Sequence, residues 1–278
     1  MARKSPNRID IDRFRVPAGG KRFRLKDVDP GSKQGLPDRE RAEAEMADDV
    51  ARIDVLQEIM YAQGEHALLC VFQAVDCGGK DGTIRKVFGA VDPIGIVSTS
   101  FKAPSHAELQ HDYLWRVHKA VPPRGYLGIF NRSHYEDVLI VRVHNLAPAN
   151  VIDKRYGEIN AFEKELVKAG TKMVKFCLHI SYDEQRQRLI DRLKDPDKHW
   201  KFKENDIDER ALWDDYMSAY SIAITRCSEV PWYVIPANHK PYRNWAVSKI
   251  LRETLEEMNP AFPQPRLNIK RLLKRLIP

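Results

Sequence analysis

One lysine, two aspartates and three glycines fall within seven residues at Asp76-Cys77-Gly78-Gly79-Lys80-Asp81-Gly82. They follow the apolar run Leu68-Leu69-Cys70-Val71-Phe72 and precede a helical pattern. A strand, a glycine loop with lysine, and a helix together make a holder for phosphate chains. Backbone N–H groups of the loop face the anion, the helix N-terminus adds partial positive charge, and lysine adds a full one. The segment departs from the usual pattern of glycine, four residues, then Gly-Lys-Ser/Thr. Ala74 stands at the first glycine, Asp81 at the hydroxyl position, and Thr83 two residues further on. With no hydroxyl in its normal place, another hard oxygen must serve magnesium, and the Asp76 carboxylate inside the loop is of that type. Asp81 falls in the first helical turn, where negative charge complements the dipole. A glycine-rich strand-to-helix turn with a solvated lysine would read the same from this segment alone.

A second cluster is Asn131-Arg132-Ser133-His134-Tyr135-Glu136-Asp137, after the apolar stretch ending at Phe130. Ligands of parallel sheets gather at the carboxyl ends of strands. Asn131, Arg132, Glu136 and Asp137 are therefore expected to share a crevice with Asp76 and Lys80. An acidic residue at such a strand end would hold metal or its water. Asn131 is neutral, so that duty passes to Asp76 and to Glu136 or Asp137. Dipole placement alone would also explain Glu136 and Asp137 in a first helical turn.

Further cations follow. Arg192 and Lys201 flank the hinge of a polar, basic segment at residues 195–209 with the composition of a lid. Arginine there would clamp phosphate oxygens and neutralise charge in a transition state. Arg186 and Arg188 are expected on a solvated face. Trp200 and Phe202 either cover a base or pack the lid. Arg85, Lys86, Lys102 and Arg116 suit a polymer with one negative charge per unit. His106, His111 and His118 lack the i, i+4 spacing of a metal pair and are read as structural.

These residues need a scaffold. The chain has 278 residues, 43% hydrophobic and 31% charged, enough for one large α/β domain. Its net charge of +7 calls for an anionic partner: nucleic acid, a small polyanion or a phosphate polymer. No run of 18 apolar residues is present, so no membrane span is expected, and the polar start Met-Ala-Arg-Lys-Ser-Pro is not expected to be a secretory signal. The four cysteines have no metal-ligand spacing; Cys70 and Cys177 fall in apolar strand patterns, and a cytoplasmic location is expected.

Residues 1–36 read as an extended basic arm rich in Pro and Gly (Pro17, Gly19, Gly20, Pro30, Gly31), and residues 37–278 as a single domain. Pro37 opens a helical pattern with Met46, Val50, Ile53, Leu56 and Met60 on one face, ended by Gly64. Strands are predicted at 67–75, 96–101, 126–130, 173–180 and 232–235, and helices at 82–91, 105–120, 134–144, 159–168, 181–194 and 241–258. Ser105 and Glu108 have capping-box spacing. Alternation at this spacing implies βαβ units and a parallel sheet covered on both faces. Residues 266–278 form a basic amphipathic helix, expected to dock on the body or on a neighbouring subunit rather than on a membrane.

Three motifs in order resemble the polyphosphate kinase 2 family over about residues 40–258. Asp76 to Ile84 looks like its Walker A segment, Phe130 to Leu139 like its Walker B segment, and Arg192 to Lys201 like its lid. The resemblance implies a P-loop kinase-like, three-layer αβα sandwich with a parallel five-stranded sheet and a helical lid. It implies phosphoryl transfer between inorganic polyphosphate and AMP, ADP or ATP, with guanine nucleotides as further candidates. The cofactor would be magnesium, or manganese in its place. Asp76, Lys80 and Arg132 would be catalytic, with Asp76 on the metal. Lys80, Arg85, Arg192 and Lys201 would hold polyphosphate. Asn131, Glu136, Gly79, Gly82 and Thr83 would lie on the nucleotide side. Many members carry aspartate at the position of Asn131, and Asn-Arg-Ser followed by Tyr-Glu-Asp resembles the branch that accepts both AMP and ADP. A homo-oligomer, dimer or tetramer, is expected, with the N-terminal arm and C-terminal helix as subunit contacts. The competing readings are a thymidylate-kinase-like enzyme using ATP as donor, and a basic nucleic-acid-binding protein, for which no recognition motif is present.

Overall fold

The computed structural model describes residues 11–17, 22–35 and 38–277; Gly19, Gly20 and Pro37 lie outside them. Its centre is a sheet of five parallel strands: β1 (Ala67–Gln73), β2 (Ile96–Ser100), β3 (Leu127–Asn131), β4 (Thr171–His179) and β5 (Trp232–Pro236), in the order β2-β3-β1-β4-β5. Every residue of β1 is buried, which is why its sequence runs apolar without alternation. Helices α1 (Arg39–Gln63) and α2 (Lys80–Phe88) are followed by the short α3 (Trp115–Ala120) and α4 (Ile140–Val143). Then come α5 (Ala149–Lys168), α6 (Tyr182–Lys194), α7 (Asn205–Ala211), α8 (Trp213–Arg226), α9 (Lys240–Met258) and α10 (Ile269–Leu276). Two apolar cores flank the sheet. One joins α1, α2 and α9 to one face; the other joins α5 and α8 to the opposite face. The result is the expected three-layer αβα sandwich.

Local chemistry sets the boundaries. The Asp38 carboxylate accepts from Arg41 N at 2.9 Å to cap α1, and Gly64 ends it in the left-handed region at φ 66°. α2 begins at Lys80, two residues before the predicted start, because Gly79 takes φ 99° as its N-cap. The predicted helix at 105–120 is broken. Its capping box forms, with Ser105 N donating to Glu108 at 2.7 Å, but it starts only the 3-10 turn Glu108–Gln110. His111 is extended, and Asp112 accepts from Leu114 N before α3 begins. The predicted helix at 134–144 is the 3-10 segment His134–Val138 plus α4, kinked at Leu139. α5 starts ten residues before the predicted 159, since Gly157 breaks the pattern without breaking the helix.

Part of the N-terminal segment packs on the body. Val16 N donates to Trp232 O at 2.8 Å, and Phe14, Val16 and Leu25 are buried. The segment after α6 holds the 3-10 turn Pro196–Lys201 and then α7. α10 buries none of its residues, so it does not dock on the body of its own chain. No described helix is long and apolar enough to cross a membrane.

Candidate active site

The loop after β1 is held from below. Lys80 Nζ donates to Ala74 O at 2.8 Å, and the side chain is buried. Burial, with Arg132 close by, keeps its pKa below the usual lysine value. Cys77 takes φ 63°, a strained value for a residue with a side chain. Burial pushes its thiol up to about 11, so it is no nucleophile.

Arg188 corrects the expectation of a solvated face. It is 8% exposed, and its guanidinium donates to Cys77 O at 2.9 Å, Ala237 O at 2.6 Å and Asn238 O at 3.1 Å. Glu184 pairs with its Nε at 2.7 Å. Gln185, one turn earlier, donates to Asp76 O at 3.0 Å. Gln185, Arg188 and Leu189 form the buried stripe of α6, and that i, i+3, i+4 spacing was the available signal. Arg186 is exposed, as expected.

The end of β3 meets this loop because Phe72 pairs with Asn131 in the sheet. Asn131 Nδ2 donates to Asp81 Oδ1 at 2.8 Å. Arg132, at φ 63°, reaches Asp76 at 2.8 Å through Nη2 and Glu136 at 3.2 Å through Nη1. Burial opposes its charge, but the two carboxylates outweigh burial and hold the guanidinium pKa above its ordinary value. The turn carrying Arg132 and Glu136 is anchored beneath by a fully buried network. Lys175 Nζ donates to Glu163 and to the Tyr135 hydroxyl, each at 2.7 Å, and Tyr135 donates to Glu163 at 2.7 Å.

Asp137 does not join the crevice. It turns toward Arg155, whose Nη1 donates to its carbonyl at 2.9 Å and lies 3.4 Å from its carboxylate. Burial, only partly offset by Arg155, pushes its carboxyl up to about 6. It lines a separate cavity with Tyr113 and Glu158.

Two cavities meet at the loop. The first, about 550 Å³, contains Gly79, Lys80, Gly82, Arg85, Lys102 and Asn131; ten of its lining residues are Lys or Arg and three are Asp. The second, about 300 Å³, has four Lys or Arg and four carboxylates, with Tyr216, Tyr220, Trp213, Leu139 and Ile140 as walls. They share Asp76, Arg132, Arg192 and Lys201. Arg192 is held loosely, 3.5 Å from Lys201 O and 3.7 Å from Asp206. Glu136 lines the second cavity only. Thr83 lines neither; it is fully buried, and its hydroxyl donates to Gly79 O at 3.1 Å. Trp200 is exposed, while Phe202 packs against the core.

Sequence reasoning missed Lys240 and Arg243, which line the first cavity from the first turn of α9. Cations at a helix N-terminus oppose the dipole, and that mismatch was the signal. It also missed the tyrosines of α8, which read as ordinary core. Among the described residues no group of three or more His, Cys, Asp or Glu could hold a metal by itself.

A model of the polyphosphate kinase 2 (PPK2) family matches residues 36–263. An AMP/ADP-polyphosphate phosphotransferase of Meiothermus ruber is 52% identical over 258 residues, which cover 92% of this chain and 96% of that protein. An ADP-polyphosphate phosphotransferase of Rhodopseudomonas palustris is 44% identical over 229 residues, covering 77% and 79%. The crystal structure of a polyphosphate kinase 2 from Arthrobacter aurescens superposes with a TM-score of 0.91 at 43% identity, covering 96% of this chain and 95% of that one.

Proposed function

This chain belongs to the polyphosphate kinase 2 family, and on that premise we propose that it transfers phosphoryl groups between inorganic polyphosphate and AMP or ADP. The observation that carries the assignment of sides is the charge contrast between two cavities with a common floor. The cation-rich cavity suits a polymer with a charge on every unit; the balanced, tyrosine-walled one suits a nucleotide. Donor phosphate lies over the loop against Lys80, acceptor phosphate arrives beside Glu136, and transfer takes place at Asp76, Arg132, Arg192 and Lys201. In this assignment Gly79, Gly82 and Asn131 serve the donor side, and Thr83 supports the loop from beneath.

The reaction forms a bond from a nucleotide phosphate oxygen to the terminal phosphorus and breaks the phosphoanhydride behind it. The polymer leaves one unit shorter. Arg132 is fixed between two carboxylates, so its charge needs no reorganisation as negative charge builds on the transferred group. Arg192 and Lys201, held loosely, close from the lid. No covalent enzyme intermediate is needed, since positioning and charge neutralisation supply the catalysis.

The donor set fits magnesium of one kind only. Asp76 is a half-exposed hard carboxylate at the junction, paired with Arg132 through one oxygen, and among the described residues no group of three or more ligating side chains surrounds it. That suits an ion that enters with the substrate phosphates and takes one protein carboxylate. Bound there, magnesium would neutralise and align the phosphate oxygens, and manganese would serve similarly. We further place the enzyme in the cytoplasm, a reading supported by four free, buried thiols. We assign α10, with its exposed apolar side, to a contact between subunits of a homo-oligomer.

The test is a donor–acceptor matrix: polyphosphate or ATP as sole donor, with AMP, ADP, GMP and GDP as acceptors. Transfer from polyphosphate to AMP and ADP is expected. Transfer to AMP from ATP alone would favour an ordinary nucleotide kinase and overturn the assignment.

A further inference from the structure

Lys240 lines the cation-rich cavity and also a further cavity of about 690 Å³. This one lies between the starts of α1 and α9 and is bounded by Arg39, Lys86, His239 and Asn244. Its one carboxylate, Glu43, is already paired with Arg39 at 2.9 Å.

Between the two cavities stands the first turn of α9. A helix N-terminus favours acidic residues, yet this turn carries Lys240 and Arg243 and no acid. Arg243 is 3% exposed. Its Nε and Nη2 both donate to Asn244 Oδ1, at 3.1 and 2.9 Å. Its Nη1 lies against Gly79, where any Cβ would overlap it, and has no protein acceptor among the described residues. Burial and the neighbouring Arg188 bring the guanidinium pKa down to about 10. A buried cation with a spare donor, at the positive end of a helix and facing the phosphate loop, lacks only an anion.

We propose that the donor polyphosphate runs from the phosphate loop across the first turn of α9 and into the cavity of Arg39, Lys86 and His239. Arg243 holds the phosphate behind the reacting one. Lys240 carries the chain over the turn, and Lys86 and Arg39 hold units beyond it. The route rests on the reading of the cation-rich cavity as the donor side. It makes the cavity between α1 and α9 the determinant of preference for long chains, because a short donor ends before reaching it.

The experiment compares KM for long polyphosphate with KM for the shortest chain the wild-type enzyme turns over. Lys86→Glu and, separately, Arg39→Gln are measured beside wild type. Both side chains are exposed, so both variants are expected to fold. For Lys86→Glu, KM for the long chain should rise on the order of tenfold, equivalent to ~1.4 kcal/mol, while KM for the short chain stays within about twofold. Arg39→Gln should shift KM the same way by less. The slope of log KM for the long chain against log salt should fall by about one for each phosphate that no longer meets a cation, which a merely structural defect would not produce. Equal shifts for long and short chains, or no shift in either, overturn the route. Failure of the proposed function looks different: wild-type enzyme would then take no phosphoryl group from polyphosphate of any length.

Discussion

Asp76→Asn separates the two jobs proposed for one carboxylate at the junction. In the structure Asp76 pairs with Arg132 at 2.8 Å, with side chains 39% and 36% exposed. An ion pair that open to solvent contributes only ~0.5–1 kcal/mol to stability. For a chain of this size that is a melting shift of about 2–4 °C at most. In the proposed mechanism the same carboxylate fixes the guanidinium that meets the transferred group and serves as the protein ligand for magnesium. Loss of such a stabiliser costs ~2.7–4 kcal/mol in the transition state, a fall of roughly 10²–10³ in kcat. The variant should therefore be nearly as stable as wild type and nearly inactive. A magnesium titration then divides the two jobs. A raised magnesium requirement with partial recovery at saturation marks a ligand; an unchanged requirement marks a residue that acts only on Arg132. Turnover within about threefold of wild type at every magnesium level would refute the assignment of Asp76 to the chemistry. A melting shift on the order of 10 °C would refute it from the other side, by making the residue structural.

Arg188→Ala should be the reverse case. It strands Glu184 and the carbonyls of Cys77, Ala237 and Asn238, so urea denaturation should show a loss of ~3–5 kcal/mol; Arg188→Lys should recover less than half, since a point charge cannot serve every acceptor at once. The carboxyl of Asp137 should give stability a pH dependence. Its folded pKa, about 6, is raised from 3.8, so its contribution is fully present below pH 3.8 and is lost as pH rises through about 6. The difference is worth up to ~3 kcal/mol, and Asp137→Asn, which stays neutral, should flatten the denaturation profile between those values; parallel profiles for the two proteins would sink the idea.

That Asp76, Lys80 and Arg132 come together was legible because their placement is built from local signals. Asp76, Lys80 and Arg132 stand at the carboxyl ends of adjacent strands, and their apolar runs announce those strands. Arg192 and Lys201 sit where a charged helix gives way to a polar segment. The failures have one physical character: the deciding partner was remote in sequence. Arg188 looked solvated because the carbonyls it holds lie at Cys77 and Ala237. Asp137 was assigned to the crevice because spacing cannot show that Arg155, on α5, draws it away. Tyr216 and Tyr220 wall the second cavity from a helix whose apolar stripe resembles any core stripe. In the broken helix at 105–120 a correct cap was read, but a cap says where a turn starts and nothing of how far it continues.

The placement of buried charge separates what holds the site from what works in it. Lys175, Glu163 and Tyr135 bond one another beneath the Arg132 turn, with Cys227 O taking a further bond from Lys175, so this buried charge is balanced within the protein. Arg188 is likewise engaged within the protein, by Glu184 and three backbone oxygens. Lys80 and Arg243 are different. Both are buried, both have pKa values held below the ordinary value, and among the described residues neither faces a carboxylate at contact distance. Cations desolvated without counter-charge are unfavourable in the free protein. On the proposed donor side, polyphosphate would supply the missing charge, so its binding should draw on the relief of that cost as well as on new contacts. The same imbalance discriminates between substrates. The cavity around Lys80 and Arg243 rewards a dense anion, whereas the balanced cavity of Glu136 and Glu209 repels one and leaves room for a base and sugar.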